Sequence, residues 1–191
     1  MRAAIIGYGV EGALALKYWH NLGYQVCVHD ANRQLELPDV IESHLGPDYL
    51  KNLDQYDLIV RSPGVRPQLI LQANPNLNAT QITSVTTEFL AQCPAKVIGV
   101  TGTKGKGTTA TLITKMLEAA GYTVHLGGNI GHPPLDFLDQ VEPEDWVVLE
   151  LSSFQLMDIK QSPQVAVMLM IATDHLNWHA DLHEYLSAKQ N

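Results

Sequence analysis

The chain has 191 residues, 46 % of them apolar and 17 % charged, with a net charge of −8. That length suits one large or two small domains of ordinary globular composition, and the acidic balance argues against nucleic-acid binding or attachment to an acidic membrane as the main role. No apolar run approaches transmembrane length, and Met1-Arg-Ala-Ala-Ile-Ile6 leads into a strand rather than a signal peptide, so a cytoplasmic protein without membrane insertion is expected.

Ala3 to Ile6 reads as a short buried strand, Gly12 to Leu22 as a helix ending at Gly23, and Gln25 to Asp30 as a second strand. Leu58 to Val60 reads as a third, entering Ser62-Pro-Gly64. Strands alternating with helices imply a parallel sheet. Between the first strand and helix lies Gly7-Tyr-Gly9-Val-Glu-Gly12, with Asp30 closing the next strand. Glycines there let a pyrophosphate approach the helix N-terminus, and Asp30 is placed to hold a ribose diol. The pattern admits any nucleotide diphosphate, a UDP-sugar included, so nicotinamide chemistry does not follow from it. Cys27 and Cys93 show no metal-ligand spacing and read as reduced structural thiols.

A second α/β unit starts near Lys96, after a seam at Cys93-Pro94, which gives domains 1–93 and 94–191. Its strands fall around Val97–Val100, Thr123–Leu126, Trp146–Leu151 and Val165–Ile171. The first runs into Thr101-Gly-Thr-Lys-Gly-Lys-Gly-Thr108, then into a helix-patterned segment from Thr109 to Ala120 that stops at Gly121. An apolar strand, a glycine turn, a lysine and a helix make a phosphate loop. Its glycines let the backbone wrap phosphate oxygens, Lys106 supplies charge, and Thr108 or Thr109 supplies a hydroxyl for Mg²⁺. ATP is the expected nucleotide. Two positions depart from the general pattern: Val100 stands for the first glycine, and Gly107 for the Ser or Thr that usually follows the lysine.

Glu150 ends an apolar strand, where phosphate-loop enzymes place a Mg²⁺-organising acid, and Ser152 and Gln155 follow at the same sheet edge. The Met-rich strand Val165–Ile171 reads as core and emerges at Asp174-His175. His175, His179 and His183 are spaced by four, but the pattern of a zinc helix is not met. Taken without context, Lys189 reads as an exposed surface lysine.

These pieces together resemble the Mur ligase family of ATP-dependent amide-forming enzymes of peptidoglycan precursor synthesis. The matching stretches are Thr101–Lys106, Gly127-Gly-Asn-Ile-Gly131, Glu150-Leu-Ser-Ser-Phe-Gln-Leu156, and Asp174-His-Leu-Asn-Trp-His179 leading to Tyr185-Leu-Ser-Ala-Lys189. The N-terminal glycines, Asp30 and Ser62-Pro-Gly64 look most like the branch that adds D-glutamate to UDP-MurNAc-L-Ala. The resemblance implies a Rossmann-like UDP-substrate-binding domain followed by a truncated P-loop ATPase domain, and catalysis through an acyl phosphate. Gly102, Thr103, Lys104, Gly105, Lys106, Gly107 and Thr108 would bind ATP. Thr108 and Glu150 would organise one Mg²⁺, and His175 and a carbamylated Lys189 a second. Gly7, Gly9, Gly12, Asp30, Ser62, Pro63 and Gly64 would receive the UDP moiety, with Asn129, Ser152 and Gln155 against the UDP-sugar or the nucleotide.

Against the family pattern, Lys104 stands for asparagine, Gly107 for Ser or Thr, and Asn177 for aspartate. Family members continue well beyond Lys189, so the chain is expected to be a fragment that does not turn over alone and exposes a sheet edge open to self-association. The L-alanine-adding or another Mur-type ligase, a non-catalytic nucleotide-binding module and a dinucleotide oxidoreductase are the alternative readings.

Overall fold

The structure, a computed structural model, describes every residue except Asp39 and Leu176. The chain divides into two compact units, Met1–Val85 and Thr86–Asn191. Both are parallel-sheet α/β units.

The first contains β1 (Arg2–Ile6), α1 (Val10–Asn21), β2 (Gln25–Asp30), β3 (Glu42–Leu45), β4 (Leu58–Arg61), α2 (Pro67–Ala73) and β5 (Ile82–Thr83). The strands lie in the order β3-β2-β1-β4-β5, with every pairing parallel. Central strands covered on both faces carry unbroken apolar runs, and Ala3 to Ile6 are accordingly all fully buried. On one face Ala4, Ile6, Cys27, Ile59 and Ile82 pack with Leu53, Tyr56 and Ile70. Two strands have no counterpart in the sequence reading. Glu42-Ser-His-Leu45 is a polar, mostly exposed edge without apolar alternation, and Ile82-Thr83 is only two residues long.

The second unit begins within α3 (Val85–Gln92) and continues through β6 (Lys96–Thr101), α4 (Lys106–Ala119), β7 (Val124–Gly128), β8 (Trp146–Glu150), α5 (Ser153–Leu156), β9 (Val165–Met168) and α6 (Leu182–Gln190). Its strands run parallel in the order β7-β8-β6-β9. Ile98, Val100, Ala110 and Val148 form the centre of this core, with Ile113, Leu117, Leu126 and Leu169 packed against them.

Two expectations change here. α4 starts at Lys106 rather than Thr109, because Gly105 adopts φ +83° and caps the helix one turn earlier. The Met-rich strand is an exposed edge and not core: Val165 is 43 % and Met168 52 % accessible, since β9 pairs only with β6 among the described residues. No described helix is long and apolar enough to cross a membrane.

Candidate functional site

In each unit the polar motifs gather where the strand order reverses, outside the carboxyl ends of the strands, which is where open α/β sheets bind ligands. In the first unit this point lies between β1 and β4. Gly7 leaves β1 with φ +86°, a conformation that favours glycine. Ser62, just past β4, donates from Oγ to the Gly7 carbonyl at 2.6 Å, and its own N–H donates to Ile6 O at 2.8 Å. A Cβ on Gly12 would stand 2.2 Å from that same carbonyl, so only glycine allows α1 to come this close. Gly9 precedes Val10 as the α1 N-cap without a side-chain cap, leaving the first N–H groups of the helix for a ligand.

Asp30 accepts the Tyr8 N–H at 2.7 Å on one oxygen and the Asn32 N–H at 2.8 Å on the other. It therefore braces the glycine loop. Pro63 and Gly64 complete the turn after β4, above the buried Arg61, whose Nη1 donates to Val65 O at 3.2 Å. Sequence reasoning missed Arg61, although a charge ending an apolar strand before Ser-Pro-Gly was a readable signal.

In the second unit the reversal lies between β6 and β8, whose onward connections run to opposite sides, and the phosphate loop leaves β6 beside it. Gly102 (φ +148°) and Gly105 (φ +83°) bend the chain through conformations that side chains rarely adopt. Thr103 ties the loop to the segment after β9. Its N–H donates to Met170 O at 3.0 Å, and its Oγ1 lies 3.1 Å from Ala172 O, 2.9 Å from Ala172 N and 2.8 Å from the Tyr185 hydroxyl. Lys106 folds back over the loop, donating to Thr103 O at 3.1 Å. Lys104 and Thr108 are exposed.

Glu150 is buried, 4 % accessible, beside the first turn of α4. Asn129 donates from Nδ2 to its Oε1 at 3.0 Å and from its backbone N to Glu150 O at 2.8 Å. Gly128 permits this pairing at φ +103°, since a Cβ there would stand 2.2 Å from Glu150 O. The other oxygen, Oε2, lies 3.0 Å from where a Cβ on Gly107 would be. The loop position that lacks a hydroxyl thus faces the carboxylate directly. A buried carboxylate with one oxygen steadied by an amide, next to glycine-lined helix N–H groups, suits a divalent cation carried on a triphosphate.

Ser152 caps α5, with its Oγ accepting the Gln155 N–H at 3.3 Å and its N–H donating to Gln155 Oε1 at 3.0 Å. These two residues therefore steady each other at the sheet edge. His175 adopts φ +54° and lies exposed, 3.5 Å from an Asp174 oxygen, with its ring 4.8 Å from Phe154. Leu176, inside this motif, lies outside the described residues. The three spaced histidines do not share a helix, since only His183 is in α6.

His179 is buried instead, with Nε2 2.9 Å from Ser153 Oγ, Nδ1 3.4 Å from Glu184 Oε2, and its ring stacked on Phe154. Sequence reasoning missed this chain of contacts, because it joins residues about thirty apart through tertiary packing alone.

Lys189 is likewise buried, at 5 % accessibility, which overturns the surface reading. Its Nζ donates to Gly102 O at 3.0 Å and Thr101 Oγ1 at 3.2 Å, and lies 4.9 Å from the Tyr185 ring centre. Desolvation, with some repulsion from Lys106, holds its pKa down to about 8.

Two family profiles cover nearly the whole chain: the Mur ligase MurD-like N-terminal domain matches residues 1–85, and the Mur ligase middle domain residues 100–191. Among curated proteins, the chain is 43 % identical to a protein of Ruminiclostridium cellulolyticum, over all of this chain and 43 % of that one. It is 38 % identical to proteins of Clostridium tetani and Acetivibrio thermocellus, again over its full length and over 43 % and 42 % of theirs. All three carry the name UDP-N-acetylmuramoylalanine--D-glutamate ligase. The chain spans under half the length of these relatives. A solved structure, the UDP-N-acetylmuramate:L-alanyl-gamma-D-glutamyl-meso-diaminopimelate ligase of Neisseria meningitides, shares the fold with a TM-score of 0.55 at 20 % identity, over 98 % of this chain and 65 % of that one.

Proposed function

Since the chain belongs to the Mur ligase family, we propose that it carries the UDP-substrate unit and part of the ATPase unit of an ATP-dependent ligase that adds D-glutamate to UDP-MurNAc-L-Ala. The observation that carries this reading is the opposition of the glycine-lined α4 N-terminus to the buried Glu150, with Asn129 steadying one oxygen and Gly107 opening space at the other.

In this reading the substrate carboxylate attacks the γ-phosphorus of ATP and ADP leaves. The D-glutamate amine then attacks the acyl phosphate, forming the amide and releasing phosphate and a proton. The chain's own residues do the positioning and charge neutralisation that such chemistry needs. The N–H groups of Gly102 to Thr108 cradle phosphate oxygens, and Lys106 leaves Thr103 O to pair with the outer phosphates. Thr108 and Glu150 would hold the nucleotide's Mg²⁺, and His175 and a carbamylated Lys189 would hold a second, which would withdraw charge from the phosphoryl oxygens. Gly7, Gly9, Gly12 and Ser62 to Gly64 receive the UDP diphosphate, with Asp30 fixing the loop that does so. Asn129, Ser152 and Gln155 lie against the UDP-sugar or the nucleotide.

Calorimetric titration of the folded chain tests this. UDP-MurNAc-L-Ala is expected to bind, UDP-MurNAc more weakly and NADH not at all, with Mg²⁺-dependent binding of a non-hydrolysable ATP analogue. NADH binding, or no binding of any UDP-sugar by the folded chain, would overturn the substrate half. Nucleotide binding indifferent to Mg²⁺ would overturn the metal roles and favour the non-catalytic module to which Gly107 lends support.

A further inference from the structure

The outer edge of the first sheet carries a cluster of soft ligating groups that the proposed ligase chemistry does not use. β2 and β3 run parallel with Cys27 beside Glu42 and His29 beside His44. Side chains two apart on a strand share a face, so all four meet on one side of this strand pair. The ligating atoms of Cys27, His29 and His44 all lie within 4.8 Å of one another. Glu42 adds a carboxylate oxygen 3.8 Å from His44 Nε2.

The buried imidazole is already set in the form a metal requires. His29 Nδ1 lies 2.7 Å from Tyr49 O, and a carbonyl can only accept, so Nδ1 carries the proton. Nε2 is left as the bare nitrogen, 3.1 Å from the Tyr56 hydroxyl that donates to it. An imidazole whose far N–H is fixed on a carbonyl is the arrangement metal-ligating histidines adopt. Burial also keeps this ring neutral, with its pKa lowered to about 4.

We propose that Cys27, His29 and His44 form a binding site for a zinc-type divalent cation, with Glu42 or water as the fourth ligand. One thiolate, two imidazoles and an oxygen make a donor set typical of tetrahedral zinc. Bond lengths near 2.0–2.3 Å place such ligands about 3.3–3.7 Å apart, so closure takes roughly 1 Å. His44, exposed on an edge strand, supplies that movement. A cavity of about 370 Å³, with His44, Asp48, Tyr49, Lys51 and Gln55 in its lining, opens beside His44. On binding, the Tyr56 hydroxyl releases Nε2. The Cys27 S–H bond breaks as the sulfur–metal bond forms, and its proton goes to solvent. Arg2, 4.7 Å from the Tyr56 ring centre and paired with Glu42 at 3.5 Å, opposes the incoming charge; the thiolate and Glu42 offset it. The ligands sit on two strands, so no linear cysteine motif announces them.

The test is Co²⁺ and Zn²⁺ titration of the intact, reduced chain beside Cys27→Ser and His44→Ala. One equivalent of Co²⁺ is expected, with a thiolate-to-cobalt charge-transfer band that Zn²⁺ abolishes. Zinc calorimetry in two buffers should read release of about one proton. His44→Ala, at an exposed position that leaves the fold intact, should weaken Zn²⁺ at least tenfold, and Cys27→Ser should remove the charge-transfer band. Uptake without that band, uptake unaltered in His44→Ala, or no uptake by the folded chain would each overturn the site.

Discussion

Replacing Lys189 by methionine keeps most of the side chain's bulk and removes its charge. In the folded chain this ammonium is buried against the start of the phosphate loop, and its pKa falls from 10.5 to about 8. Between pH 8 and 10.5 the unfolded chain binds the proton that the folded chain has released, so this residue's contribution to stability rises with pH across that window. Below pH 8 both states are protonated and the desolvation cost applies in full. The 2.5-unit interval corresponds to about 3 kcal/mol at 1.36 kcal/mol per unit. Urea denaturation of the metal-free wild type and Lys189→Met in CO₂-free buffer from pH 7 to 10.5 measures it. The stability of wild type relative to the variant should climb by about that amount over the range. A flat difference, or one that falls, would refute the reasoning. The same pKa leaves about one Lys189 in ten as free amine at pH 7, against about one in three thousand for an ordinary lysine. ¹³C-bicarbonate should accordingly give a carbamate signal that is missing from the variant.

Gly128→Ala should destabilise the chain by about 3 kcal/mol or more, because it joins a forced positive φ to a clash with backbone. A midpoint shift in urea checks it, and a neutral result would mean that β7 and β8 are farther apart than described. Gly107→Ser puts a hydroxyl beside Glu150 and should raise affinity for a Mg²⁺-bound ATP analogue several-fold without changing the metal-free affinity, as calorimetry would read. Ser62→Ala removes the bond to the Gly7 carbonyl and should cost about 1 kcal/mol in urea, together with weaker binding of the UDP ligand.

The central strands and the glycine loops were legible in the sequence because burial on both faces and left-handed turns each restrict residue choice. Ala3–Ile6, Trp146–Glu150, and Gly105 ahead of Lys106 are cases in point. Edge strands escape this logic. Glu42–Leu45 answers to one neighbour and to solvent, and Val165–Met168 looks apolar enough for a core while lying open. Of the candidate site, the backbone-defined parts were readable and the convergence was not. His179 meets Ser153, and Lys189 reaches Gly102, only through packing. The burial of Lys189 cannot be seen in a helix segment whose other residues are half apolar and half polar.

The bracing of Thr103 has a consequence in time. Its hydroxyl partner, Tyr185, stands 82 residues further along the chain. A ribosome adding roughly 5–20 residues per second makes that partner about 4–16 s after the loop itself. During that interval the nascent loop has its glycines and its lysine but not the contacts that hold it in shape. The first α/β unit, closed by residue 85, already has its full sequence before synthesis of the loop begins. Birth order therefore places the glycine loop of the N-terminal unit ahead of the phosphate loop, which gains its last anchor near the end of this stretch of chain.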